Sequence, residues 1–106
     1  MTDPSGDATP IKSTFAGDPE MKELVEFFVE KMPERIAALE ACANEGAIDE
    51  LRSIAHQLKG AGGSYGFPQV TESARKLEET SSVAGGIEDL RRELDELVAI
   101  CGRTSV

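Results

Sequence analysis

The sequence predicts an all-α protein, an antiparallel up-down bundle of four helices, from two observations. Apolar residues recur at spacings of three and four in four separate segments, which is the period of an amphipathic helix. No segment shows the alternation of apolar and polar residues that marks a half-buried strand. Because the connections are short, consecutive helices are expected to pack in opposite directions. We therefore divide the chain into a flexible N-terminal tail over residues 1–17 and a helical bundle over 18–106.

The first helix is predicted to begin at Asp18, a favoured N-cap that is followed by proline and glutamate. Its apolar stripe keeps its phase across Pro33, so we expect either one long helix kinked at Pro33 or two nearly collinear helices. Gly46 is a natural C-terminal stop. In the preceding tail, Ile11 and Phe15 are the apolar exceptions, and they could pin its end onto a groove between helices.

Three further helices complete the predicted bundle. The second is expected to run from about residue 47 to near residue 64. The third begins near Pro68, and its apolar pattern ends over residues 79–82. The fourth follows the break at Gly85–Gly86. In each of them apolar residues form the inward stripe and charged residues occupy the opposite face.

The charge balance excludes several classes of partner. The chain has 106 residues, with 11 Lys and Arg against 20 Asp and Glu, and a formal net charge of −9. A surface this acidic argues against binding nucleic acid or an anionic membrane, because both require a basic face. No apolar run approaches the roughly 18 residues of a membrane span, and the N-terminus does not resemble a signal peptide. We therefore expect a cytoplasmic monomer that contacts neither membrane nor nucleic acid.

The cysteine and histidine content argues against a metal site. Cys42 and Cys101 fit a reducing compartment as small buried apolar residues, and nothing in the sequence supports a disulfide between them. With one histidine and no cysteine cluster, a Cys/His zinc site is close to excluded. The chain is expected to need no cofactor of its own.

One helical face carries the side chains that are best suited to take part in a reaction. His56 lies two residues from both Ile54 and Leu58 of the inward stripe, so it points about 160° away from them, toward solvent. The same outward face carries Arg52, Lys59, Gly60 and Gly63. An exposed imidazole is in large part neutral at cellular pH and can carry a transferring phosphoryl group, whose charge a nearby ammonium would stabilise. The alternative is that an isolated exposed histidine has no role.

Three glycines, Gly60, Gly62 and Gly63, follow on the same helix and leave two interpretations open. Each costs up to about 1 kcal/mol relative to alanine within a helix. Either the helix ends at Gly60 and a loop follows, or the helix continues and the missing side chains clear space beside His56 for a second protein. Gly62, on the inward side, could instead permit close packing against a neighbouring helix.

Other catalytic patterns are missing from the sequence. The histidine has no obvious serine or cysteine partner for nucleophilic catalysis. The glycine-rich run over 60–66 is not a dinucleotide fingerprint, because Tyr65 takes the place of the last glycine and a helix precedes the run where a strand is needed. No Walker lysine is present, so we expect a protein without an ATP site and not an enzyme in its own right.

The segment over 56–67, HQLKGAGGSYGF, resembles the signature of histidine-containing phosphotransfer (HPt) domains. That signature reads His-x-apolar-Lys-Gly, followed by small residues and a further glycine. The run QVTESARKLE over 69–78 is similar to the helix that follows the signature. The run FVEKMPERI over 28–36 is similar to the family's first long helix, including its proline. The resemblance extends from about Phe15 to Leu97.

The resemblance implies a phosphorelay intermediate. Members of the family are four-helix bundles that accept a phosphoryl group on an exposed histidine from an aspartyl phosphate of a receiver domain and pass it to another receiver. On this basis His56 is the phosphoacceptor, Lys59 stabilises the phosphoryl oxygens, and Mg²⁺ belongs to the partner receiver. The implied partners are response-regulator receiver domains and a hybrid sensor histidine kinase. The partner interface is expected at Arg52, Gln57, Gly60, Gly63 and Ser64.

Two other functions remain open. Gly66–Phe67 followed by Val70–Glu72 resembles the phosphoacceptor domain of chemotaxis-type histidine kinases, where a kinase domain of the same chain phosphorylates the histidine. A helical scaffold without chemistry would show an exposed apolar patch, and the candidates for it are Phe27, Ile11 and Phe15. We expect Phe27 instead to pack against the tail or a neighbouring helix. The sequence departs from the family at Ala47, where relatives place an Asp or Asn cap, and Glu78 receives no firm role.

Overall fold

The computed structural model of the chain describes residues 9–106, which are mostly helical. Five α-helices and two short β-strands follow in the order β1 (Ile11–Lys12), α1 (Lys22–Glu30), α2 (Met32–Glu45), α3 (Ile48–Ser64), α4 (Pro68–Ser81), α5 (Arg91–Arg103) and β2 (Thr104–Ser105). A single 3₁₀ segment, Ile87–Leu90, leads into α5. The all-α class predicted from the periodicity is confirmed.

The first predicted helix is divided into α1 and α2 at Lys31, two residues before Pro33. Pro33 lies in the first turn of α2, where its missing N–H removes no intrahelical hydrogen bond. The predicted start at Asp18 is wrong, because α1 begins only at Lys22. Asp18 Oδ1 instead accepts a hydrogen bond from the Glu20 N–H at 2.9 Å, in a turn that precedes the helix.

The remaining helix ends follow the local signals closely. Gly46 ends α2 in the left-handed conformation, with φ 71°, which a glycine adopts without steric cost. Pro68 lies in the first turn of α4. The helix α3 runs through all three glycines to Ser64, so the interpretation in which it ends at Gly60 is wrong.

The core forms where the apolar stripes of the helices meet. The helix α4 packs against α3 and α5, and α2 packs against the same two helices. Leucines from α2 to α5 are completely buried there, among them Leu39, Leu51, Leu77 and Leu97. Each contributes roughly 1.5–3 kcal/mol to folding through the apolar area that it removes from water. Cys42 and Cys101 are buried and unbonded, and burial raises the pKa of the Cys101 thiol to about 12.

Polar contacts near both ends of α3 join it to α4. Near the start of α3, Arg52 donates to the Ser81 Oγ through Nε and to the Ser81 carbonyl through Nη2, both at 3.0 Å. Near the end of α3, the Lys59 carbonyl accepts a hydrogen bond from Thr71 Oγ1 at 2.8 Å. These contacts fix the register in which the two helices present their outward side chains.

The described part of the predicted tail is attached to the helices. Strand β1 pairs in parallel with β2, with Ile11 opposite Thr104, and Ile11 is buried. Phe15 packs against the core with its ring half-buried. The strands have only two residues each, so no alternation in the sequence could reveal them. Residues 1–8 of the predicted tail lie outside the described residues.

Candidate functional site

The candidate site is a cluster of three side chains from two helices. His56 and Lys59 project from α3, one turn apart, and Glu78 projects toward them from α4. The Glu78 carboxylate bridges the other two, with Oε2 2.9 Å from His56 Nδ1 and Oε1 2.8 Å from Lys59 Nζ. The His56 side chain is 66% exposed and that of Glu78 only 23%. The cluster therefore presents an imidazole to solvent, and a more buried carboxylate hydrogen-bonds to its inner ring nitrogen.

The charges around Glu78 keep it ionised. The Lys59 ammonium, and then the His56 imidazole, hold the pKa of the Glu78 carboxyl below its usual range, against a smaller opposing effect of burial. An ionised carboxylate only accepts hydrogen bonds, so the hydrogen of the His56–Glu78 contact lies on Nδ1. In the neutral ring, a hydrogen on Nδ1 leaves the lone pair on Nε2, which is then the ring nitrogen that can attack an incoming electrophile.

The Glu78 carboxyl should titrate at lower pH than an ordinary glutamate, and the Lys59→Ala substitution should raise its pKa further than His56→Gln does, because Lys59 has the larger effect. A carboxyl whose pKa is lower in the folded than in the unfolded chain stabilises the fold at pH values above its unfolded pKa, near 4.3. This stabilisation is lost as the pH falls through the folded pKa. A carboxyl-detected NMR titration measures both shifts.

The Glu72 carboxyl provides the internal control for that titration. Its pKa is lowered by Arg75, a neighbour on the same helix, and not by the cluster. It should therefore stay constant in both variants. A Glu78 pKa that is equal in the wild type and in Lys59→Ala would contradict the ion pair described here.

The three glycines of α3 meet different surroundings. A Cβ on Gly62 would lie 2.6 Å from Thr71 Oγ1 and 2.9 Å from the Thr71 backbone nitrogen, so the absence of a side chain lets α3 and α4 approach. Among residues 9–106, a Cβ on Gly60 would meet nothing within 4 Å, and one on Gly63 would be in ordinary contact with Thr71 Oγ1 at 3.7 Å. Packing inside the protein explains Gly62 and does not explain Gly60 or Gly63.

The structure distributes the other predicted interface residues unevenly. Arg52 is only partly exposed, and its guanidinium is engaged with Ser81 and lies 3.6 Å from Asp49, so it braces α4 and is not a free cation beside His56. Gln57 and Ser64 are both exposed on α3, Ser64 being its last residue. Gly60 and Gly63 are exposed between them.

A groove of about 340 Å³ opens beside Gln57, the residue that follows His56 on α3. It is lined by residues of α1, α2 and α3, among them Phe27, Lys31, Ile54 and Gln57, the last adjacent to His56 in sequence. Phe27 is 55% exposed, and the Lys31 ammonium lies 5.5 Å from the centre of its ring. The expectation that Phe27 packs against the tail or a neighbouring helix is therefore wrong, and the ring forms an apolar wall of this groove.

Glu78 is the one member of the cluster to which sequence reasoning gave no role. It occurs as one of two consecutive glutamates on a charged helical face, a pattern that usually indicates only solvated charge. The signal lies in spacing along α4: Glu78 is seven residues, or two turns, beyond Thr71, which contacts Lys59. That spacing becomes informative only when the register between α3 and α4 is known.

Within residues 9–106, no helix is long and apolar enough to cross a bilayer. In the same part of the chain, no three His, Cys, Asp or Glu side chains come together in a group that could hold a metal ion.

The fold and the cluster define a helical module with one mostly exposed imidazole. The family model for the Hpt domain matches residues 23–103, and the chain belongs to this family. Comparisons with curated proteins and with solved structures give no match. Hpt domains act in histidine phosphotransfer within two-component signalling, where they serve as phosphoryl carriers and interact with receiver domains and histidine kinases.

Proposed function

We propose that the chain is a phosphorelay intermediate that accepts a phosphoryl group on His56 from the aspartyl phosphate of one receiver domain and passes it to another. The observation that carries the proposal is the bridge from Glu78 to both His56 and Lys59, which orients the only histidine of a chain that belongs to the Hpt family. The donor and acceptor are response-regulator receiver domains, one of them in a hybrid sensor histidine kinase. The setting is the cytoplasm, and the carrier is a monomer.

The transfer step follows from the tautomer of the imidazole. His56 Nε2 attacks the phosphorus, the P–N bond forms as the P–O bond to the receiver aspartate breaks, and the aspartate leaves as a carboxylate with the electron pair. Glu78 accepts the Nδ1 hydrogen bond and stabilises the positive charge that develops on the ring. The Lys59 ammonium is one turn away and can contact the phosphoryl oxygens, while the receiver supplies Mg²⁺ and its acidic pocket.

The surroundings of His56 support docking of a second protein. Gly60 and Gly63 leave the outward face of α3 flat, although no contact within the described part of the chain requires them to be glycine. Beside this face, Phe27 and Gln57 line an open groove with an apolar wall. Burial of an exposed aromatic ring at the centre of an interface is among the strongest contributions to protein binding.

The contacts between α3 and α4 support the proposed up-down arrangement of the bundle. The start of α3 pairs with the end of α4 through Arg52 and Ser81, and the end of α3 pairs with the start of α4 through Lys59 and Thr71. Helices that pair in this order run in opposite directions. The same arrangement brings Glu78, near the end of α4, beside His56, near the middle of α3.

The direct test mixes the chain with a phosphorylated receiver and follows the label. Transfer to a histidine gives a phosphate that is labile in acid and stable in base, whereas an aspartyl phosphate is labile in base. A receiver panel identifies donors and acceptors by the rate of exchange in each direction. A chain that takes no label from any receiver would refute the relay proposal.

The Lys59→Ala variant is expected to fold and to accept the phosphoryl group more slowly. Lys59 is partly exposed on α3, so its truncation should change stability little, while the loss of one cation beside the phosphoryl oxygens should slow transfer roughly 10- to 100-fold. Single-turnover transfer from a phosphorylated receiver measures the effect. Lys76→Ala, an exposed lysine on α4, serves as the matched control for loss of one positive charge. Equal rates in the wild type and Lys59→Ala would remove the proposed role.

The two alternative functions predict different labelling results. A chemotaxis-type phosphoacceptor domain should be labelled by a separate kinase domain with ATP and poorly by phosphorylated receivers. A scaffold is favoured by the exposed ring of Phe27, and it would bind its partner equally well whichever residue occupies position 56. Labelling by receivers without a kinase domain contradicts both.

A further inference from the structure

The segment over 11–15, here called the strap, closes over the turn that links α3 to α4. The Ser13 hydroxyl donates a hydrogen bond to the Tyr65 carbonyl at 2.6 Å, and the Thr14 N–H donates to the Gly66 carbonyl at 2.8 Å. Ser13 itself is 5% exposed. The strap therefore satisfies the carbonyls of the turn with donors from a distant part of the chain.

The strap fits this turn closely. Gly66 has a φ of 82°, and a Cβ at this position would lie 2.4 Å from Ser13 Oγ and 2.7 Å from Thr14 Oγ1. At its other end, the strap is anchored to α5, because β1 pairs with β2 directly after that helix. The contact thus joins three parts of the fold: the N-terminal segment, the α3–α4 turn and the C-terminal end of the chain.

The strap lies outside the part of the chain that matches the Hpt family model. The match covers residues 23–103, which excludes both the strap and β2. The helix that it secures needs support, because three of the last five residues of α3 are glycines. The backbone N–H groups of Tyr65 and Phe67 bond to the carbonyls of Ala61 and Gly62, so fixing the turn also fixes the last turn of α3.

We infer that the strap orders the partner-facing end of α3, with Ser13 as the positioning residue. Ser13 connects the strap to the turn, because the same Oγ donates to the Tyr65 carbonyl of the turn and accepts a hydrogen bond from the Phe15 N–H of the strap, at 2.9 Å. The docking part of the inference rests on the proposed function: a receiver that meets the flat face at Gly60 and Gly63 binds best when this end of the helix is ordered. The strap touches no reacting atom and acts through α3.

The test compares the full chain with its Ser13→Ala variant by amide hydrogen exchange. Loss of the hydroxyl leaves the Tyr65 carbonyl without its donor, so the amides of Tyr65 and Phe67 should exchange about tenfold faster, while those of α5 stay unchanged. Ser53→Ala is the matched control, because Ser53 is exposed on α3, near the opposite end of the helix from the strap. Exchange that is equal in Ser13→Ala and the wild type overturns the inference, as does faster exchange throughout α5.

A second readout separates docking from chemistry. Ser13→Ala should raise the KM for a phosphorylated receiver severalfold with little change in kcat, while direct labelling of His56 by phosphoramidate, a small phosphodonor, should be unaffected. Faster exchange with an unchanged KM overturns the docking part. If the wild type accepts no phosphoryl group from any receiver, the proposed function fails and the docking part with it, while hydrogen exchange still decides whether the strap orders α3.

Discussion

The His56→Gln variant should take no label from a phosphorylated receiver under conditions in which the wild type is labelled within one turnover. Glutamine has no ring nitrogen that can form the P–N bond, and the chain contains no second histidine. The side chain at position 56 is mostly exposed, so the free energy of unfolding should change by about 0.5 kcal/mol or less. Loss of label therefore reports lost chemistry, which a melting curve on the same sample verifies.

The double variant H56Q/Q57H provides a demanding control. It restores a histidine one position along α3, about 100° around the helix, where the imidazole cannot reach Glu78 or Lys59 in the same way. Gln57 is exposed, so the exchange should be tolerated. We expect no recovery of labelling, because the site depends on the cluster and not on the presence of a histidine alone. Labelling of His56→Gln itself would refute the assignment of the phosphoacceptor.

The parts of the fold that were predictable from sequence are those with a local cause. The end of α2 at Gly46 and the proline in the first turn of α4 are each determined by a few neighbouring residues. The outward direction of His56 follows in the same way from the position of the inward stripe. These features need no knowledge of how the helices pack.

The features that sequence reasoning missed depend on contacts between distant segments. Glu78 reaches His56 only because of the register between α3 and α4, which no local pattern specifies. The pairing of β1 with β2 joins residues more than 90 positions apart in two strands of two residues each. Phe27 lies off the inward stripe, and sequence reasoning expected a neighbour to cover it, although its ring stays exposed with the Lys31 ammonium 5.5 Å from its centre. Packing therefore decides the composition of the site and its surroundings.

The glycines of α3 should respond to alanine substitution in opposite directions. Gly62→Ala places a methyl group against the backbone of Thr71, where only a shift of α4 can relieve the clash, and such overpacking costs roughly 1–3 kcal/mol. Gly60→Ala meets open space and removes a helix-destabilising residue, so it should stabilise the protein by up to about 1 kcal/mol. For a domain of this size, thermal melting should separate the two variants by roughly 4–20 °C.

Among the glycine-to-alanine variants of α3, the efficiency of phosphotransfer should not follow the stability of the protein. Gly60→Ala and Gly63→Ala add a methyl group to the outward face beside His56, so the KM for a phosphorylated receiver should rise although both proteins are at least as stable as the wild type. This result would show that glycine at these positions is retained for the partner, at a cost to the helix of up to about 1 kcal/mol each. If Gly60→Ala and Gly63→Ala are both stabilised and transfer at the wild-type rate, the outward face is not where the receiver docks.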